Sequence, residues 1–168
     1  MRLYIVRHAI AAPHGTPGMP DDDRPLTEEG IKKMRQAAAG LRSLEYIPEI
    51  VLSSPLPRAR QTAEILMEAF GQKRTRLEMF PALAPSGSRK EVYQAIASYA
   101  EKLESLMLVG HQPSLGEIAG EIVWGSPEQF LDLKKGGACA IELEHTGIPP
   151  AGSLIWLLTP AVLRKIET

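Results

Sequence analysis

The sequence holds a single cysteine, Cys139, in 168 residues. No intrachain disulfide can form, which suits a reducing compartment and leads us to expect a cytoplasmic protein. A Cys/His metal cluster is equally out of reach, and His8, His14, His111 and His145 show no helical ligand spacing. The lone thiol is expected to act as a small buried hydrophobe. No apolar stretch approaches the roughly 20 residues that would span a membrane. The first strand is expected at residue 2 or 3, which leaves no room for a signal peptide. Nineteen basic against 20 acidic residues give a net charge of −1. Broad, charge-driven nucleic-acid binding is therefore not expected, although a small positive pocket is compatible with that balance. No repeat, low-complexity linker or domain boundary is visible. One domain over residues 1–168 is expected, long enough to bury a sizeable core.

Apolar runs alternate with helical patterns along most of the chain. That is the signature of βαβ units. Strands are expected at Arg2–Arg7, Glu49–Ser53, Thr75–Met79 and Leu106–Val109. Helices are expected between them. Thr27 reads as the cap of the first, with Ile31, Met34, Ala38 and Leu41 facing the core. Ser54 reads as the cap of the second, with Pro55 at its first position and Thr62, Ile65, Leu66, Ala69 and Phe70 buried. Ser88–Glu91 reads as a capping box for a third helix that buries Val92, Ile96, Tyr99 and Leu103. Pro113 opens a fourth, with Leu115, Ile118, Ala119 and Ile122 inward. Ala138–Glu144 and Ser153–Thr159 flank a Gly/Pro turn and read as an antiparallel pair. The expected fold class is three-layer α/β/α, with a mostly parallel central sheet and an antiparallel edge.

Three of the strands end in chemistry. Leu3–Val6 runs into Arg7 and His8. Ile50–Leu52 runs into Ser53, Ser54 and Arg58. Leu106–Val109 runs into Gly110 and His111. Open α/β sheets bind ligands at the carboxyl ends of their strands. Two arginines and two histidines there can converge on one anion. Arginine grips phosphate as a planar fork of donors. A neutral imidazole is a competent nucleophile near pH 7. The helix start after Ser54 is expected to add backbone N–H groups. With that much positive charge, no metal or cofactor is needed.

The stretches Leu3–Ala9, Arg24-Pro25-Leu26-Thr27, Ser53–Ala63 and Leu108–Pro113 together resemble the histidine phosphatase superfamily, whose fold is phosphoglycerate-mutase-like. The compact length and the Arg-Pro-Leu-Thr stretch make the chain similar to its short SixA-type phosphohistidine phosphatase branch. The resemblance implies that His8 is the nucleophile that becomes phosphorylated. It implies that Arg7, Arg58 and His111 form the phosphate pocket, and that water then releases the phosphate. Ala9 stands where the family commonly has glycine. His14 stands where many relatives have a phosphate-touching asparagine; it is a possible phosphate ligand, with a solvated loop position favoured. Larger members use a carboxylate as proton donor. The place where short relatives often carry glutamate is Ala82, which leaves Asp21, Asp22, Asp23 and Glu78 as candidates.

The expected activity is that of a metal-independent phosphatase acting on phosphohistidine in a partner protein, such as a phosphotransfer domain of a signalling relay. Imidazole leaves more readily than an alkoxide, so a missing acid fits that substrate. Two alternatives stay open: a phosphomonoesterase acting on a small ester, and a phosphate-binding module without turnover. The partner's identity and the oligomeric state are not encoded in any motif.

Overall fold

The computed structural model describes residues 1–71 and 75–166. These form a six-stranded sheet in the order β3-β2-β4-β1-β5-β6. The strands are β1 (Arg2–Arg7), β2 (Ile50–Ser53), β3 (Arg76–Met79), β4 (Ser105–Gly110), β5 (Ala138–His145) and β6 (Ala151–Leu158). The first four run parallel, whereas β5 lies antiparallel to β1 and β6 antiparallel to β5. The α-helices are α1 (Glu28–Ser43), α2 (Pro57–Phe70), α3 (Arg89–Ala100), α4 (Ser114–Trp124) and the short α5 (Pro160–Leu163). The fold class is therefore the expected one.

Two cores sandwich the sheet, and the pleat sorts the strand residues between them. Tyr4, Val6, Val51, Met107 and Val109 join one core with residues of α1, α2 and α5. Leu3, Ile5, Ile50, Leu52, Leu106 and Leu108 join the other with residues of α3 and α4. Strands buried on both faces must read as continuous apolar runs, which is why β1, β2 and β4 stood out in the sequence. Cys139 is fully buried in the second core, and burial pushes its thiol up to about 12.

This layering creates a switch point. From β1 the chain crosses over β4 to reach β2, with α1 on one face. From β4 it crosses over β1 to reach β5, with α4 on the other face. Adjacent strands whose connections leave in opposite directions open a crevice at their carboxyl ends. His8 and His111 lie there, one residue past β1 and β4.

Several boundaries differ from the sequence reading. Ser54 does not cap α2, and Pro55 is not its first residue. The helix starts at Pro57, with Leu56 as an N-cap that makes no side-chain bond. Two prolines compete for the first position. The residue before a proline is driven out of the α region, and Leu56 (φ −65, ψ 140) obeys Pro57. The helix therefore begins three residues after Ser54, and because Pro57 has no N–H its first amide donor is that of Arg58. Strand β2 starts at Ile50 instead of Glu49, and β3 at Arg76 instead of Thr75. Helix α3 stops at Ala100, so Leu103 packs from the following turn. Ser88 accepts from the Glu91 N–H at 3.3 Å as expected of its cap. The loop from Ala9 to Pro25 contains a 3-10 turn at Asp21–Asp23 and a bridge between Ala11 and Leu26.

Helix α1 lies close against that loop. A Cβ on Gly30 would sit 2.0 Å from the carbonyl oxygen of Ile10. Alanine normally stabilises a helix interior relative to glycine by about 1 kcal/mol. Gly30→Ala is expected to do the opposite and cost about 1–3 kcal/mol through overpacking. Chemical denaturation checks the sign, and a more stable variant would contradict the close approach.

Candidate active site

The β1–β4 register sets the level of the site. Arg7 pairs with Gly110, and one further ladder bond joins the His8 N–H to the Gly110 carbonyl at 2.9 Å. On the other side of β4, the Ser54 N–H donates to Val109 O at 2.9 Å. His8, Ser54 and His111 are thereby brought to one rim. The two imidazole centroids are 5.1 Å apart.

His8 is 6% exposed. Its Nδ1 lies 2.7 Å from the carbonyl oxygen of Ala9. A carbonyl only accepts, so Nδ1 carries the proton and Nε2 keeps its lone pair. Burial lowers the His8 pKa to about 4, and the charges of Arg58, Arg7 and Lys135 act in the same direction. The ring is therefore neutral at pH 7, in the tautomer that exposes Nε2 as a nucleophile. Its orientation is held from below. The Ala9 N–H donates to Thr62 Oγ1 at 3.0 Å, and that hydroxyl donates to Arg58 O at 2.7 Å. Gly136, at a φ of 78 that favours glycine, sends its N–H to both Arg7 O and His8 O at 3.1 Å.

His111 is equally buried, and its Nε2 lies 2.8 Å from Ser54 Oγ. Burial and the neighbouring His8 and Arg58 lower its pKa to about 3. Arg7 Nη1 donates to Leu133 O at 2.8 Å. Arg58 Nη1 donates to Asp21 O at 2.8 Å. At 3% exposed, Arg58 is no surface residue; it lies one turn before Thr62 on the buried stripe of α2.

Four buried side-chain polar atoms lack a partner among the described residues: Arg7 Nε, Arg58 Nε, His111 Nδ1 and Trp156 Nε1. Three of the four belong to this one site. Unpaired buried donors are costly and rare in native proteins. Two guanidinium N–H groups and, when Nε2 accepts from the Ser54 hydroxyl, the His111 Nδ1–H make a donor set suited to an oxyanion beside a neutral His8. The residues Arg7, His8, Arg58 and His111 share a cleft of about 340 Å³.

The cleft also includes His14, Asp21, Arg24, Gln112 and Lys135. Of the four candidate acids, only Asp21 lines it. Its carboxylate accepts from Arg24 Nε at 2.7 Å and from His14 Nδ1 at 2.5 Å, and lies 3.6 Å from Arg58 Nη2. These partners, His14 first and Arg24 next, lower its pKa to about 2. It is a carboxylate at pH 7, built to hold two arginines in place. Asp22 and Asp23 do not line the cleft, and Glu78 accepts the Tyr99 hydroxyl at 2.9 Å on the edge strand β3. The His14 side chain is 83% exposed, so its solvated position and its pocket contact coexist. Sequence reasoning missed Arg24 and Lys135 as site residues. Arg24 stood inside the quoted Arg-Pro-Leu-Thr stretch. Lys135 had only its place beside Gly136-Gly137 to mark it. Among the described residues, no three His, Cys, Asp or Glu side chains gather as a metal ion would require.

Comparison with known proteins agrees with this fold. A family model described as the histidine phosphatase superfamily (branch 1) matches residues 3–84. An uncharacterized protein of Picosynechococcus sp. is 42% identical over 142 residues, 82% of each chain. The phosphohistidine phosphatase SixA of Escherichia coli is 29% identical over 171 residues, 99% of each chain. The structure of the protein histidine phosphatase SixA complexed with tungstate aligns with a TM-score of 0.83 and 26% identity, covering 96% of this chain and 98% of the other. The family match, the relatives and the shared fold agree, and the chain belongs to the histidine phosphatase superfamily.

Proposed function

We propose that this protein is a metal-independent phosphohistidine phosphatase that works through a phosphorylated His8. The observation that carries the proposal is the His8 tautomer, with Nδ1–H on the Ala9 carbonyl and Nε2 free beside unpaired donors of Arg7, Arg58 and His111. A phosphoryl group seated on those donors presents its phosphorus to Nε2. The N–P bond to His8 forms as the bond to the substrate's imidazole breaks, and that imidazole takes a proton from solvent. Arg7, Arg58 and His111 stabilise charge on the equatorial oxygens. Water then attacks the phosphohistidine, phosphate leaves, and neutral His8 is restored.

Two things support phosphohistidine over a phosphate ester. The similar SixA proteins carry that activity in their names. Asp21, the one cleft carboxylate among the described residues, is held ionised by His14 and Arg24, which suits a leaving group that needs little acid help. The substrate would be a phosphohistidine-bearing protein, such as a phosphotransfer domain in a signalling relay. Arg7, Arg58, His111 and at the rim His14 are assigned to phosphate binding. Asp21 is assigned to positioning Arg24 and Arg58 and not to proton donation.

Incubation with a phosphohistidine-bearing phosphotransfer domain and with an aryl phosphate tests the reading. Rapid phosphate release from the protein, lost in His8→Ala, is expected. Fast aryl turnover beside an untouched phosphoprotein would move the substrate to small esters, and phosphate binding with no turnover of either would make the protein a binding module. Arg58→Ala is expected to lower turnover about a hundredfold or more, as for loss of an oxyanion donor. Asp21→Asn is expected to slow aryl and alkyl phosphates by the same factor. A loss confined to the alkyl ester, the poorer leaving group, would make Asp21 the acid after all. His8 charges only when pH falls through about 4, because burial disfavours the imidazolium. In an NMR titration its ring signals are therefore expected to stay those of a neutral imidazole through pH 5.5, and a midpoint near the ordinary 6.5 would contradict the desolvated site.

A further inference from the structure

A second cavity adjoins the phosphate cleft behind the His8–Ala9 turn. It measures about 150 Å³, and Lys135 lines both spaces. Its floor is apolar, made by Ala9, Met34 and Pro160, and three cations line it: Lys33 from α1, Lys135 from the loop before β5, and Arg164 after α5. The Lys33 ammonium donates to Glu29 one helical turn earlier, and that carboxylate also acts on Arg164. Glu29 does not line the cavity. Among the described residues, one carboxylate thus stands against three cations over an apolar floor.

The volume is well below the roughly 300–1,000 Å³ of ordinary small-molecule pockets. It suits a single acidic side chain, with the methylenes on the floor and the carboxylate among the cations. Lys135 lines both spaces, so a carboxylate in the cavity would lie one side chain away from a phosphoryl group in the cleft. We propose that this cavity is a second anion subsite, which takes the carboxylate of an acidic residue neighbouring the phosphohistidine of a protein substrate. The inference rests on the phosphohistidine reading above, and it adds a rule for choosing among phosphoproteins.

The test uses synthetic phosphohistidine peptides in which one glutamate is walked through the positions flanking the phosphohistidine, against an otherwise neutral peptide. In the wild type, glutamate at one position is expected to raise kcat/KM about fivefold, the scale of one partly exposed ion pair. Lys33→Met and Arg164→Met keep an apolar stem. Each is expected to abolish that preference while leaving turnover of the neutral peptide and of 4-nitrophenyl phosphate unchanged. The preference is also expected to shrink as salt is raised. No preference at any position, or one that survives both variants, overturns the subsite while the phosphohistidine activity stands. Acceleration of a small phosphorylated carboxylic acid through Lys33 and Arg164, with no effect on peptides, overturns the choice of a protein ligand. Turnover of 4-nitrophenyl phosphate with no peptide hydrolysed defeats the phosphohistidine reading itself, and the subsite falls with it.

Discussion

One backbone hydrogen bond organises the site. The His8 N–H on the Gly110 carbonyl extends the β1–β4 ladder a single residue past Arg7. It places His8 and His111 at the same height on neighbouring parallel strands, with their rings 5.1 Å apart. Everything else acts on that pair. The helices that follow the two strands pack on opposite faces, which opens a crevice between the strand ends, and the loop that follows β1 lines its rim with His14, Asp21 and Arg24. The donors of Arg7 and Arg58 then fill its walls. A shift of one residue in this register would send one imidazole into a core.

The electrostatics of the cleft follow from desolvation more than from any single pair. Two guanidinium groups sit beside two imidazoles with little water, so the imidazoles stay neutral and the arginines stay charged. Arg7 and Arg58 are each lowered by burial from the ordinary arginine value, yet each spends one N–H on a backbone carbonyl and keeps others free. Asp21 offsets part of that charge from the solvent side. In the proposed reaction an incoming phosphoryl group would meet oriented donors that need no reorganisation, which is where electrostatic catalysis draws its strength.

Much of this was legible in the sequence, for identifiable reasons. Strands β1, β2 and β4 are apolar throughout because both faces are buried, and the polar residues that end them could only lie at the sheet's rim. The antiparallel pair showed itself through the Gly/Pro turn. The start of α2 was misread because Pro55 and Pro57 send the same local signal, and only the restriction on Leu56 decides between them. The burial of Arg58 was written one turn before Thr62, on a stripe that the reading began at Thr62. Asp21 was visible as a carboxylate, but its role was not. A run of three aspartates says nothing about which one reaches two arginines, and that is set by the 3-10 turn. Lys135 was invisible for a similar reason, since its proximity to His8 depends on the fold of a loop more than 120 residues away.

That loop carries a consequence for how the molecule comes to be active. Arg7 is anchored by the carbonyl of Leu133, and the His8 backbone by the N–H of Gly136, both just before the hairpin of β5 and β6. During synthesis, a chain that has emerged through His111 already holds His8, Arg58 and the second histidine. Even so, Arg7 lacks its anchor and β1 lacks its antiparallel neighbour. The cleft geometry is completed only when β5 and β6 dock, so a nascent or prematurely ended chain would hold the His8 imidazole without the framework that orients it.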